Sequence, residues 1–303
     1  MKVSGFTILR NGVKFDYPFL ESIRSLLPLV DEFVIAVGKG DDETAARITE
    51  LSEKEGSGKI IHFETVWELD DPEKRKGGLI LSEQTNIALD RCTGDWCFYL
   101  QADEVLHESD YPRIREALRQ AHSRPEIEGL LFDYVHFYGS YDVVQHSRSA
   151  YRREVRCIRH SAGGRSLGDA QSFRKPNGEK LSVIHSRARI FHYGWVRTPD
   201  AMREKTFFMD QLYHGKADPE AERAGTPATG NNYRYKRFWG LQPFRDVHPA
   251  VMHNRISAKG WHWDLTNSPF HWTWRDSKKI ILDTIESLTG RRFFEYRPYR
   301  LKR

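Results

Sequence analysis

Short apolar runs alternate with helix-spaced segments from the first residues of this chain. Residues 2–9 form an apolar run that ends at the turn cluster Arg10-Asn11-Gly12, which predicts a strand and a turn. From residue 17 to 29, Phe19, Leu20, Ile23, Leu26 and Leu27 fall at helical spacing. Pro18 suits the first turn of that helix and Pro28 its end. A second apolar run, 33–37, closes on Gly38-Lys39-Gly40-Asp41-Asp42; Thr44–Lys54 then reads as a helix and 59–63 as a third strand. A strand–helix–strand–helix–strand succession predicts parallel pairing through right-handed crossovers.

The next stretch, 65–78, is polar, and a helix capped by Ser82 is expected to run to Leu89. Residues 96–100 are a buried-type strand, followed by a helix over Tyr111–His122 and strands at 129–136, 155–159 and 187–192, with a polar, Gly-rich stretch at 161–180. After residue 199 the texture changes: five of the eight tryptophans lie between Trp239 and Trp274. Residues 218–232 read as a mobile loop and 277–289 as a short amphipathic helix. The expected architecture is α/β, a mainly parallel central sheet flanked by helices. It spans residues 1–199, with an aromatic-rich extension, 200–303, packed on it.

Composition narrows the class. At 303 residues and 39% apolar content, no apolar run approaches the length of a membrane span. The first strand begins at once, so no secretory signal is expected. Three cysteines without zinc-like spacing, Cys92, Cys97 and Cys157, suit a reducing cytoplasm. A net charge of +5 is modest and scattered, which argues against nucleic acid and leaves an anionic nucleotide or a membrane surface as partner.

The chemistry concentrates where the 96–100 strand stops, at Gln101-Ala102-Asp103-Glu104. Open α/β sheets place their ligand crevice at the carboxyl ends of strands, and carboxylates there suit a hard divalent cation that holds phosphates. Capping of the next helix is the competing use of both acids, and adjacent residues on an extended backbone point to opposite sides.

The ordered set Arg10-Asn11, Asp31-Glu32-Phe33-Val34-Ile35, Asp42-Glu43-Thr44, Asn86-Ile87-Ala88-Leu89, Thr93-Gly94-Asp95-Trp96, Ala102-Asp103-Glu104-Val105-Leu106 and His192-Tyr193-Gly194-Trp195 resembles family 2 glycosyltransferases of the GT-A fold. It is closest to a bacterial branch with an Arg-Asn turn after strand one. The resemblance implies a metal-dependent, inverting transfer of sugar from a nucleotide-sugar, UDP-linked or another, to an acceptor hydroxyl on a glycan, a lipid-linked carrier or a small molecule. It implies Mn²⁺ or Mg²⁺ held by Asp103 and by His192, the latter alternatively a packed core histidine. It also implies donor contacts from Arg10, Asn11, Asp41, Asp42, Asn86 and Gln101; helix capping is the other use of Asp41 and Asp42. Two departures stand out. Gln101 replaces a carboxylate common in the family, and Gly38-Lys39 follows strand two where relatives often carry an Asp that reads the base. Lys74, Arg75 and Lys76, before two glycines, are either a basic lid over the diphosphate or a solvated loop. Inversion requires a general base, for which Asp169 is the first candidate and Asp133 or Glu154 the substitutes. A non-catalytic sugar- or nucleotide-sugar-binding module on the same fold is the rival reading, and the basic tail beside the 277–289 helix suggests contact with the inner face of a membrane.

Overall fold

The strand–helix alternation of the first hundred residues folds as the pattern predicts. The computed structural model describes residues 1–214, 233–272 and 274–303, so the loop expected at 218–232 lies outside the described residues. In chain order the elements are β1 (Val3–Leu9), α1 (Phe19–Leu26), β2 (Glu32–Gly38), α2 (Thr44–Lys54), β3 (Ile60–Thr65), α3 (Pro72–Arg75), α4 (Leu79–Leu89), β4 (Trp96–Tyr99) and β5 (Glu104–Leu106). Then follow α5 (Tyr111–His122), β6 (Gly129–Tyr138), β7 (Ser140–Gln145), β8 (Arg153–Arg159), β9 (Arg165–Ser166), β10 (Phe173–Arg174) and β11 (Ser182–Trp195). The last are α6 (Pro199–His214), β12 (Leu241–Pro243), α7 (His253–Ser257), α8 (Trp274–Thr289) and β13 (Arg300–Leu301).

The main sheet runs β12-β7-β6-β8-β4-β1-β2-β3, with β11 pairing β6, β5 and β13 beside that path. Around β1 the pairing is parallel: β1 lies between β2 and β4, and β3 follows β2. Beyond β4 the strands β8, β6 and β7 add in antiparallel fashion, and β11 returns parallel to β6. β1, β2 and β4 are buried along their whole length, which is why they show no regular apolar–polar alternation. One face packs under α1, α2 and α5 through residues such as Ile23, Ile48, Ile114 and Leu118. The opposite face packs against α4 through Ala88 and Leu89.

Three local expectations are corrected. The helix to Leu89 starts at Leu79 and is preceded by Gly78 in left-handed conformation, so Ser82 is not its cap; the Ser82 hydroxyl donates to the Leu79 carbonyl inside the first turn. The last helix starts at Trp274, three residues before the amphipathic pattern becomes visible. The 187–192 strand extends to Ser182–Trp195, with a register irregularity between His185 and Arg189 where Arg187 takes a positive φ of 58°. The segment after residue 199 shares apolar clusters with the sheet: Met252 packs with Phe137, Phe191 and Tyr193, and Met202 and Tyr235 with Tyr138.

Candidate functional site

β4 ends at Tyr99, and the chain turns through Gln101 and Ala102 before entering the three-residue strand β5, which pairs antiparallel with β11 at His192↔Glu104. That short pairing separates the two acids. Glu104 points into the protein, where it is fully buried and receives both arms of Arg156 (Nε 2.9 Å, Nη2 2.8 Å), the Tyr134 hydroxyl (2.7 Å) and the Gln101 backbone N–H (3.0 Å). Its lone pairs are committed, so it is a structural anion that ties β5 to β6 and β8. Asp103 faces a cleft of about 780 Å³ instead. Neither acid caps a helix, since α5 begins only at Tyr111.

Around Asp103 the chain gathers His192 and Gly194 from β11, Arg197 from the turn that follows, and Lys205 from α6. Lys205 Nζ donates to Asp103 Oδ2 (3.1 Å) and to the Gly194 carbonyl (2.8 Å), and Arg197 Nη2 lies 3.8 Å from the same carboxylate oxygen. Burial alone would raise the Asp103 carboxyl; the cations Lys205 and Arg197, with the hydrogen bond from Lys205, outweigh it and hold it well below the usual carboxylate range. Burial, reinforced by Arg197, draws the Lys205 ammonium down to about 8. Asp103 Oδ1, the other oxygen, faces His192 Nε2 at 3.7 Å.

The state of His192 follows from its neighbours. His136 Nε2 lies 2.6 Å from the Tyr151 carbonyl, which can only accept, so that nitrogen carries the hydrogen. Burial pushes His136 down to about 3, so it is neutral and its Nδ1 is an acceptor. His192 Nδ1, 2.9 Å away, therefore donates to it, and the lone pair of a neutral His192 sits on Nε2, aimed at Asp103. Gly194 makes this approach possible: a Cβ there would sit 2.5 Å from His192 Cε1 and Nε2 and 3.2 Å from Asp103 Oδ2. A carboxylate oxygen and an imidazole lone pair at this separation, with no side chain between, fit two ligands of a divalent cation. Among the described residues no third His, Cys, Asp or Glu joins them, so the remaining ligands would come from bound phosphate or water.

Of the residues expected at the donor, Arg10 and Gln101 line this cleft together with Asp103, Asp169 and His192. Arg10 is fixed by its Nε bond to the Lys39 carbonyl (2.9 Å) and by the ring of Phe208 under its guanidinium. Asn11, Asp41, Asp42, Lys76 and Asn86 are not in the cleft wall. Asn11 takes a positive φ of 53° and exchanges hydrogen bonds with Asp41, giving to its carboxylate (2.6 Å) and accepting from its N–H (3.1 Å). Asp42 accepts from the Thr44 N–H at the start of α2 (3.0 Å), the capping use. Asn86 commits its whole amide to the backbone of Ser166. Lys76 is exposed, and Lys74 is tied to Glu68 and Glu83.

A second cleft of about 1020 Å³ adjoins the first and shares Ser149, Tyr151, Asp169 and Gln171 with it. Asp169 accepts from the Tyr213 hydroxyl (3.1 Å) and from the Gln171 N–H (3.3 Å). Glu154 lies in the second cleft, deeply buried, and its Oε1 accepts from Gln171 Nε2 (3.1 Å). Burial raises its carboxyl to about 7. Asp133 is held by Arg153 (2.6 Å) and His185 (2.8 Å).

Sequence reasoning missed Lys205, Arg197 and the wall of aromatic side chains Tyr17, Phe208 and Tyr213. The available signal was a lysine at helical spacing between Met202, Phe208 and Met209, a charge set among apolar neighbours.

No family model and no curated protein matches the chain. Among solved structures it is similar to S. aureus TarS, with a TM-score of 0.39, 14% identity, and coverage of 74% of this chain and 41% of that one. The TarS 1–349 structure in complex with UDP gives a TM-score of 0.39 and 13% identity over 74% of this chain and 68% of that one. GalNAc-T7 with UDP, GalNAc and Mn²⁺ gives 0.39 and 11%, covering 70% and 48%. The chain thus spans well under half the length of the full TarS chain it matches.

Proposed function

We propose that the protein is a glycosyltransferase that moves a sugar from a nucleotide-sugar donor to an acceptor hydroxyl, with inversion at the anomeric carbon. The observation that carries this reading is the set Asp103, His192 and Lys205, gathered in one cleft at the carboxyl end of a buried strand with Arg197 buried behind it. A diphosphate leaving group needs its developing charge neutralised, and buried cations do this without reorganisation. Asp103 Oδ1 and His192 Nε2 would hold Mn²⁺ or Mg²⁺, which when bound would supply Lewis-acid neutralisation of the leaving diphosphate. Lys205 and Arg197 stand beside that position as further positive charge, and Arg10 and Gln101, which line the same cleft, contact the donor.

The acceptor occupies the second cleft, so that its hydroxyl meets the donor at the shared wall. Asp169, which lines both clefts, takes the hydroxyl proton as general base during in-line attack. Asp133 is less suited, being engaged by the Arg153 guanidinium and the His185 imidazole. The buried, free thiols of Cys92, Cys97 and Cys157 suit a reducing cytoplasm, and no helix among the described residues is long and apolar enough to cross a membrane.

A second reading has its own observation: Lys205 already occupies Asp103 Oδ2, as it would in a module that binds nucleotide-sugars without a metal. Thermal-shift screening of nucleotide-sugars, each with and without Mn²⁺, distinguishes the two. The transferase reading expects one donor to stabilise the protein only with metal, donor hydrolysis with the same requirement, and loss of both in Asp103→Ala. Stabilisation indifferent to metal, without hydrolysis, would establish the module.

A further inference from the structure

Helix α8 is fastened by its ionic side. Asp283 accepts from Arg148 Nε (3.1 Å) and from Trp239 Nε1 (3.1 Å), and Glu286 accepts from Arg148 Nη2 (3.0 Å). The stripe left outward is Trp274, Lys278, Ile281, Ile285 and Leu288, spaced four, three, four and three residues apart along one helical face. Trp274 is 87% exposed, Ile281 60% and Leu288 80%, and Phe294, after the helix, is 92% exposed. A water-facing helix ordinarily has the reverse arrangement, and contiguous apolar surface of this kind marks an interaction site.

Charge identifies the partner. Residues 270–303 carry nine Lys and Arg against four Asp and Glu, an excess equal to the +5 of the entire chain. The four acids are spent internally: Asp276 on Lys279, Asp283 on Arg148, Glu286 on Arg148 and Arg152, and Glu295 on Arg152 and Arg297. Lys278 and Arg291 have no ion-pair partner among the described residues. A second copy seated on this stripe would bring like charge against like charge, whereas an anionic lipid surface complements both the apolar stripe and the basic excess. We infer that α8 lies on an anionic membrane surface, with Trp274, Ile281 and Leu288 in the headgroup–acyl boundary and Lys278 and Arg291 on the lipid headgroups. Lys278, Lys279 and Leu282 of the same helix also wall the second cleft. Given the transferase reading, that placement presents the acceptor cleft to an acceptor carried by a lipid.

Co-sedimentation of the full chain, without donor, tests the membrane seat separately from the transfer chemistry. Vesicles of phosphatidylcholine with about a third phosphatidylglycerol should bind at least about tenfold better than phosphatidylcholine alone, and about 0.5 M salt should erase most of the difference. The triple variant Trp274→Ser, Ile281→Ser, Leu288→Ser should lose about tenfold or more, with an unchanged circular dichroism spectrum because its targets face water. Lys278→Glu with Arg291→Glu should abolish the preference for anionic vesicles. Vesicle binding by the triple variant at the level of the unmodified chain overturns the inference. So does a dimer, seen by sedimentation velocity, that the triple variant dissolves while neither protein binds vesicles.

Discussion

Glu154 offers a measurement of how the second cleft treats charge. The residue is 2% exposed, one carboxyl oxygen accepts from Gln171, and burial raises the carboxyl from 4.5 to about 7 against the nearby positive charge of Arg156 and the Ser172 hydroxyl. A raised carboxyl binds its proton more tightly in the folded chain than in the unfolded one. The two states are equally protonated below about pH 4.5, so Glu154 then costs nothing. Between 4.5 and about 7 the unfolded chain ionises first, and folding stability falls by roughly 1.4 kcal/mol for each pH unit. Above about 7 the cost levels off near 3 kcal/mol. Glu154→Gln keeps the shape and the bond from Gln171 but has no charge to desolvate. Urea unfolding of both proteins should therefore give equal stabilities near pH 4.5 and an advantage to the variant that grows to roughly 3 kcal/mol at pH 8. Other carboxylates titrate alike in the two proteins and cancel in the difference. A difference that stays flat from pH 4.5 to 8 would refute the reasoning, because it would mean that Glu154 is ionised throughout.

Two further substitutions probe the first cleft and the buried ion pair behind it. Gly194→Ala places a methyl 2.5 Å from the His192 ring, so the imidazole must turn away from Asp103; the variant should lose metal-dependent donor stabilisation in thermal-shift assays while global stability falls by only about 1–3 kcal/mol. Arg156→Met leaves Glu104 buried without its counter-ion and should cost about 3–5 kcal/mol in urea unfolding, whereas Arg156→Met with Glu104→Leu should recover most of that loss.

The parallel core was legible because its central strands are rich in apolar residues and its helices carry regular spacing. Asp103 was legible for a related reason, since an apolar run that stops on a carboxylate marks a strand end. The separation of Asp103 from Glu104 was not, because it depends on β5, three residues long and held by pairing with a strand some ninety residues later. The counter-ion of Glu104 was hidden in the same way, although Arg156 flanked by Val155 and Cys157 hints at a buried cation. Lys205 belongs to α6, whose cleft-facing side is defined only once β11 has brought Gly194 and Arg197 beneath it. Asp42 and Asn86 sit at motif positions but serve the backbone, which sequence order alone does not distinguish from ligand contact.

The wall common to the two clefts constrains the order of events in time. Ser149, Tyr151, Asp169 and Gln171 belong to both spaces, so whatever fills one cleft shapes a boundary of the other. Tyr151 links that boundary to the His136–His192 chain through its carbonyl, and Gln171 links it to Glu154 through its amide. On the proposed transferase reading, such a partition favours a ternary complex, in which both substrates are present before either product leaves. Initial-velocity patterns at varied concentrations of both substrates would then be intersecting lines, not parallel ones, and the nucleotide would be released from a cleft whose far side is still occupied.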